Sequence, residues 1–202
     1  MRRLITFATA LVLVVPAAAT AQDDEAESVA PPPHAEQIAQ ALAAAPAERV
    51  DGATVLGFDD AGKLVMLREG TNDLVCLADN PAQEGFNVAC YHESLEPYMT
   101  RGRELREEGV TGMERMTMRW EEAEAGTLAM PEEPAFLYIV MGDSFDPETA
   151  EVASRYERWV VYTPFATPES TGLSATPAEG TPWLMFPGTA GAHIMITPPR
   201  GQ

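Results

Sequence analysis

Apolar residues recur along the chain at two spacings, and each spacing predicts a different kind of element. Period-two runs predict strands at 54–58 and 63–68, joined through the Asp59-Asp60-Ala61-Gly62 turn as a β-hairpin. A short strand at 74–77 follows the Gly70-Thr71-Asn72-Asp73 turn and ends at Asp79-Asn80-Pro81, and 86–91 is extended. Tyr138, Ile139 and Val140 favour β within the apolar run 135–141. Stretches 159–162, 183–186 and 193–196 predict three more strands.

Helical spacing places Ile38, Ala41, Leu42 and Ala45 on one face of a helix over 35–45. Ser94 as N-cap and Pro97 in the first turn begin a second helix that runs to Glu108. Its apolar face is Leu95, Tyr98, Met99, Gly102 and Leu105, with an Arg103–Glu107 pair opposite, and Gly109 stops it. Thr111 with Glu114 forms a capping box for a helix over 112–124. Asp146-Pro147 opens a helix toward Tyr156, and Thr167-Pro168-Glu169 a short helical turn. Mixed strands and helices with hairpin-length links predict an α+β fold: one domain over 34–202, a largely antiparallel sheet and several short helices.

The first residues follow neither pattern. Arg2 and Arg3, the apolar stretch 4–15 and Ala19-Thr20-Ala21 before Gln22 have the three regions of a secretory signal peptide, 1–21. The apolar stretch is shorter than the about 20 residues that a membrane span needs. No cysteine follows it to carry a lipid. Residues 22–33, acidic and then proline-rich, read as a disordered leader. The expectation is a periplasmic or secreted protein, cleaved after Ala21 and without a membrane span thereafter.

Composition narrows the partners. The sequence carries 31 acidic against 13 basic residues, a net charge of −18. That excess excludes nucleic acid as a partner, because binding it takes a basic face. It also opposes docking on anionic lipid. An unknown small molecule or an envelope protein is left.

The two cysteines, Cys76 and Cys90, are expected to pair in an oxidising compartment. The disulfide would close a loop of about 15 residues and contribute about 3 kcal/mol in the chain-entropy model. A redox pair would show Cys-x-x-Cys, which is absent, and Cys90 with His92 supplies two metal ligands where a closed site needs four.

Catalytic candidates are few. His34 adjoins the proline run, His92 precedes the Ser94 cap, and His193 follows glycines that let backbone approach closely. Met141-Gly142-Asp143-Ser144 resembles the Gly-Asp-Ser block of one serine esterase family. The Asp-x-x-His which that family needs is missing, since Ala190 stands three before His193, and no Gly-x-Ser-x-Gly elbow exists. Read as a helix, Met113, Met116 and Trp120 make a core-facing stripe and Met118 points away, so three thioethers would not converge on Cu(I). Glu121-Glu122 and Glu132-Glu133 are adjacent and solvated. No phosphate loop, dinucleotide fingerprint or zincin motif is present, and no cofactor is expected.

Three stretches form a set: 67–72 leading to Cys76-Leu77-Ala78-Asp79; Cys90-Tyr91-His92; and Pro182-Trp183-Leu184-Met185 with Gly188-Thr189 and Ala192-His193-Ile194-Met195. The set resembles an uncharacterised group of exported bacterial proteins, in which a Gly-x-Asn turn leads to Cys and Asp and a Trp-containing strand leads to Gly-Thr and Ala-His. The resemblance implies export and the disulfide, carries no activity, and nominates one pocket lined by Asn72, Asp79, His92, Trp183 and His193. The expected function is a non-catalytic envelope protein that binds a ligand or partner. The alternative is a periplasmic hydrolase or metal-binding protein using His193 or His92.

Overall fold

The computed structural model describes residues 30–178 and 180–198; the predicted signal peptide and most of the leader lie outside them. The chain forms helices α1 (His34–Leu42), α2 (Glu96–Glu107), α3 (Gly112–Glu124) and α4 (Pro168–Thr171). The strands are β1 (Thr54–Phe58), β2 (Leu64–Arg68), β3 (Leu74–Leu77), β4 (Phe86–His92), β5 (Ala135–Gly142), β6 (Ser144–Asp146), β7 (Glu151–Ala153), β8 (Tyr156–Tyr162), β9 (Trp183–Met185) and β10 (His193–Ile196). Eight strands make one sheet in the order β2-β1-β3-β4-β5-β8-β10-β9, antiparallel except for the β1–β3 pair. The architecture is α+β, as the mixed pattern predicted.

Strand alternation divides the apolar residues between two faces. One face carries Val55, Cys76, Val88, Cys90 and Val140, covered by Ala41 of α1 and by Ala44 in the turn after it. The other carries one row across the sheet, Val75–Tyr91–Leu137–Val160–Met195–Trp183, each residue in register with the next. Leu95 and Met99 pack on that row. The sheet is therefore sandwiched between α1 and the α2–α3 pair.

Two close approaches hold these layers. Gln37 is fully buried; its Oε1 accepts from Phe58 N at 2.7 Å and its Nε2 donates to Phe58 O at 2.9 Å. It extends β1 with an amide from α1. Gly57 makes room, since a Cβ there would lie 2.5 Å from Gln37 Oε1. Across α2 and α3, Arg119 lies over the Tyr98 ring at 4.1 Å and donates to Tyr98 O at 3.2 Å, so this buried cation spends its charge on a ring face and a carbonyl. Gly102 leaves the space.

Cys76 and Cys90 form the disulfide. They are directly opposed on β3 and β4, both fully buried.

Several local expectations are overturned. Residues 146–156 hold no helix: Asp146 Oδ1 accepts from Glu148 N at 2.8 Å, closing an Asx turn that joins β6 to β7. Arg103 pairs with Glu96 instead of Glu107, and also donates to Tyr91 Oη and Thr100 Oγ1. Thr111 makes no side-chain cap. Ser94 does not cap α2: it lies inside a single 3-10 turn, Glu93–Leu95, that runs into α2, and the cap of that turn is His92, accepting from Ser94 N. The methionine stripe does not face the core, because Met113 is 56% exposed and the buried residue of α3 is Arg119. Glu122, expected to be solvated, takes a two-oxygen bond from Arg101.

Candidate functional site

The five residues nominated for one pocket lie in three places. Asn72 and His92 stand at one end of the β3–β4 pair, where Leu74 is opposite His92. Asp79 follows the other end of β3 and accepts from Asn87 N at 2.8 Å; burial raises its pKa, against the lowering effect of its backbone hydrogen bonds. His193 and Trp183 sit on β10 and β9, four and five strands from β3. At the usual strand spacing that is about 19 and 24 Å, too far for a shared ligand of ordinary size.

His193 occupies a closed aromatic box. It is 7% exposed, and its ring lies 5.0 Å from Tyr162 and 5.8 Å from Phe186. Nδ1 donates to Gly191 O at 2.7 Å, the only ring hydrogen bond it makes among the described residues. Burial lowers its pKa, so the ring is neutral at physiological pH. Trp120 packs on Gly191 so closely that a Cβ would sit 2.1 Å from the indole nitrogen, and that nitrogen donates to Tyr98 Oη at 3.1 Å. Two rings and a backbone carbonyl thus meet the imidazole.

His92 is the opposite case. It stands on the rim of an open groove of about 880 Å3 between the β1–β3 end of the sheet and α2. Leu56, Met66, Val75 and Leu128 supply the apolar lining; Glu93, Glu96, Thr100, Arg101 and Glu104 supply the polar wall. Met66, on the edge strand β2, is 61% exposed. Arg101 is held by Glu122, Glu104 and Glu108 at 2.9–3.3 Å, and these carboxylates raise its pKa further. The free charge along the groove wall is therefore negative.

The rim itself is tightly arranged. His92 Nε2 lies 3.3 Å from Asp73 Oδ2, and Asp73 also pairs with Arg49. His92 Nδ1 lies 2.9 Å from Ser94 Oγ and accepts from Ser94 N at 3.2 Å. Asn72 braces the turn: its Nδ2 donates to Arg49 O at 2.8 Å and its Oδ1 accepts from Leu74 N at 2.9 Å. Glu93 N donates to Asp73 O at 2.8 Å, extending the β3–β4 ladder by one pair.

Sequence reasoning found His92 and missed Asp73, Ser94, Arg49 and the α2 wall. One signal was available. If Cys76 and Cys90 are read as directly opposed, antiparallel counting puts Leu74 opposite His92 and Asp73 opposite Glu93. Asp73 is then the nearest carboxylate to His92, not Asp79. Among the described residues no group of three or more His, Cys, Asp or Glu side chains stands close enough to hold a metal ion, and no helix is long and apolar enough to cross a membrane.

Comparison with known protein families, curated proteins and solved structures found no match for this chain.

Proposed function

We propose that the protein is exported and binds an amphiphile with a cationic head, laying its apolar body on the groove floor. The observation that carries this reading is Met66, a large apolar side chain 61% exposed on the lining of a groove of about 880 Å3. Small-molecule sites span about 300–1,000 Å3 and combine an apolar lining with a few placed polar groups. Glu93 makes no side-chain hydrogen bond among the described residues, and Arg101, the one Lys or Arg on the groove lining, is already neutralised by three carboxylates. A cation is thus favoured over an anion, and the overall charge of −18 adds a long-range attraction of the same sign. Export is supported by the three-part start of the sequence and by the buried disulfide, a bond that persists in oxidising compartments.

Titration calorimetry with decyltrimethylammonium and with decyl sulfate, both below their micelle concentrations, tests the reading. The cationic amphiphile binds the wild type and loses at least tenfold in affinity for Met66→Lys; decyl sulfate binds more weakly. Equal binding of the two head groups, or no effect of Met66→Lys, overturns it.

A further inference from the structure

We infer that Ser94 is an activated nucleophile, with His92 as its general base and Asp73 as the residue that positions His92, forming an acyl-transfer site on the rim of the groove.

The tautomer of His92 follows from one hydrogen bond. Ser94 N–H can only donate, so Nδ1, 3.2 Å away, must present a lone pair. A ring with one proton then carries it on Nε2, the nitrogen that lies 3.3 Å from Asp73 Oδ2. The nitrogen left basic is the one beside Ser94 Oγ, at 2.9 Å. A nucleophile, a base within hydrogen-bond reach of it and a third group orienting the base are the recurring parts of such sites, whatever their order in the chain. Here the aspartate takes Nε2 and the serine Nδ1.

Three further facts favour chemistry over a purely structural role. Ser94 Oγ has no hydrogen-bond partner other than His92 among the described residues, so the hydroxyl caps nothing. His92 and Asp73 are 38% and 42% exposed at the side chain, which leaves them open to a substrate. The Asp73 backbone is held by the Asn72-stapled turn and by the bond it accepts from Glu93 N, and its carboxylate pairs with Arg49.

The substrate class is a carboxylic ester with an apolar chain, since the adjoining floor is Leu56, Met66 and Val75; this part of the inference rests on the groove reading above. Ser94 Oγ attacks the carbonyl carbon and its proton moves to Nδ1. The backbone bond from Ser94 N is given up at that moment, since a protonated Nδ1 cannot accept. The ester C–O bond breaks and the leaving alcohol takes the proton from Nδ1. Water then attacks the acyl-serine, giving one proton to Nδ1, and Ser94 Oγ leaves and recovers it. The sum is ester plus water to acid plus alcohol.

The test is mass spectrometry of the full exported chain after treatment with a decyl fluorophosphonate, alongside hydrolysis of 4-nitrophenyl decanoate. The wild type is expected to gain one phosphonyl group on Ser94. Ser94→Ala takes no label and hydrolyses the ester at the background rate. His92→Asn, whose amide oxygen takes the place of Nδ1 and can still accept from Ser94 N, labels at least about 100-fold more slowly, the usual scale of a lost general base. Asp73→Asn lowers the labelling rate while decyltrimethylammonium binding is retained, a split that mere loosening of the rim would not give. A wild type that binds decyltrimethylammonium but takes no label overturns this inference and leaves the groove reading intact. Labelling of Ser94 without amphiphile binding supports the nucleophile and overturns the groove reading. Labelling of His92→Asn at the wild-type rate also overturns the inference.

Discussion

His92 and His193 stand at the same end of one sheet, three strands apart, and their surroundings have almost nothing in common. His193 is enclosed by Tyr162, Phe186 and the Gly191 carbonyl, in a site that favours the neutral ring. His92 is half-exposed and lies between a carboxylate and a hydroxyl. The difference comes from what lies above each strand end. The β8–β10 end is roofed by Tyr98 and Trp120 from the α2–α3 pair, and Gly191 lets the indole down onto the backbone. The β3–β4 end leads straight into the turn before α2, so its side chains meet solvent and one another. The buried imidazole contributes packing; the half-exposed one contributes a cap and a contact with a carboxylate.

Replacing each ring by alanine gives the largest effects and separates the two roles. His193→Ala removes a buried ring and leaves the Gly191 carbonyl without its donor, so it is expected to cost about 2–4 kcal/mol of stability. His92→Ala removes a half-exposed side chain and should cost less than about 1 kcal/mol, the ordinary scale for a lost cap. Urea unfolding followed by tryptophan fluorescence measures both. Equal losses at the two positions would erase the contrast.

Gly191→Ala probes the roof alone and comes next in size. The new Cβ would lie 2.1 Å from Trp120 Nε1 and 3.0 Å from Cδ1, so either the indole or the 186–193 loop must move. Overpacking of this kind costs about 1–3 kcal/mol. The Trp120–Tyr98 hydrogen bond should be lost with it, which a change in indole ultraviolet absorption reports. Fluorophosphonate labelling of Ser94 should not change, because the β3–β4 end does not share this roof. A parallel drop in labelling would mean that the two ends are coupled through α2.

Much of this arrangement was legible in the sequence, and what was missed has physical reasons. The strands of the large sheet were found because alternation and β-branched runs are local signals, and the Cys76–Cys90 pair followed from compartment chemistry. Asp146-Pro147 suits both a helix start and the Asx turn of the β6–β7 hairpin, and only the positive φ of Ala150 and Ser154 decides between them. His92 as cap was hidden because serine is the commoner cap and stands two residues on. The supposed single pocket failed on strand order. Asp79 and His92 are close in sequence yet lie at opposite ends of the β3–β4 pair, while β5 and β8 separate His92 from His193. No local pattern carries that information.

The smallest effect is a dependence of stability on pH that belongs to one histidine. Burial lowers the pKa of His193 from the ordinary 6.5, with the Gly191 hydrogen bond opposing only in part. In the unfolded chain this ring takes a proton as pH falls through about 6.5, while in the folded protein it resists. The unfolded state therefore binds more protons in that window, and stability must fall as pH drops below 6.5, then level off once the folded pKa is passed. His193→Gln removes this slope without adding a titrating group. The difference between wild type and His193→Gln, measured by urea unfolding from pH 7.5 to pH 5, isolates it from carboxylates such as Asp79. A difference that grows toward acid, with the variant gaining on the wild type, matches a neutral ring in a closed box. A flat difference would mean that water or a carboxylate reaches His193, and the two histidine sites would then be less unlike than their surroundings imply.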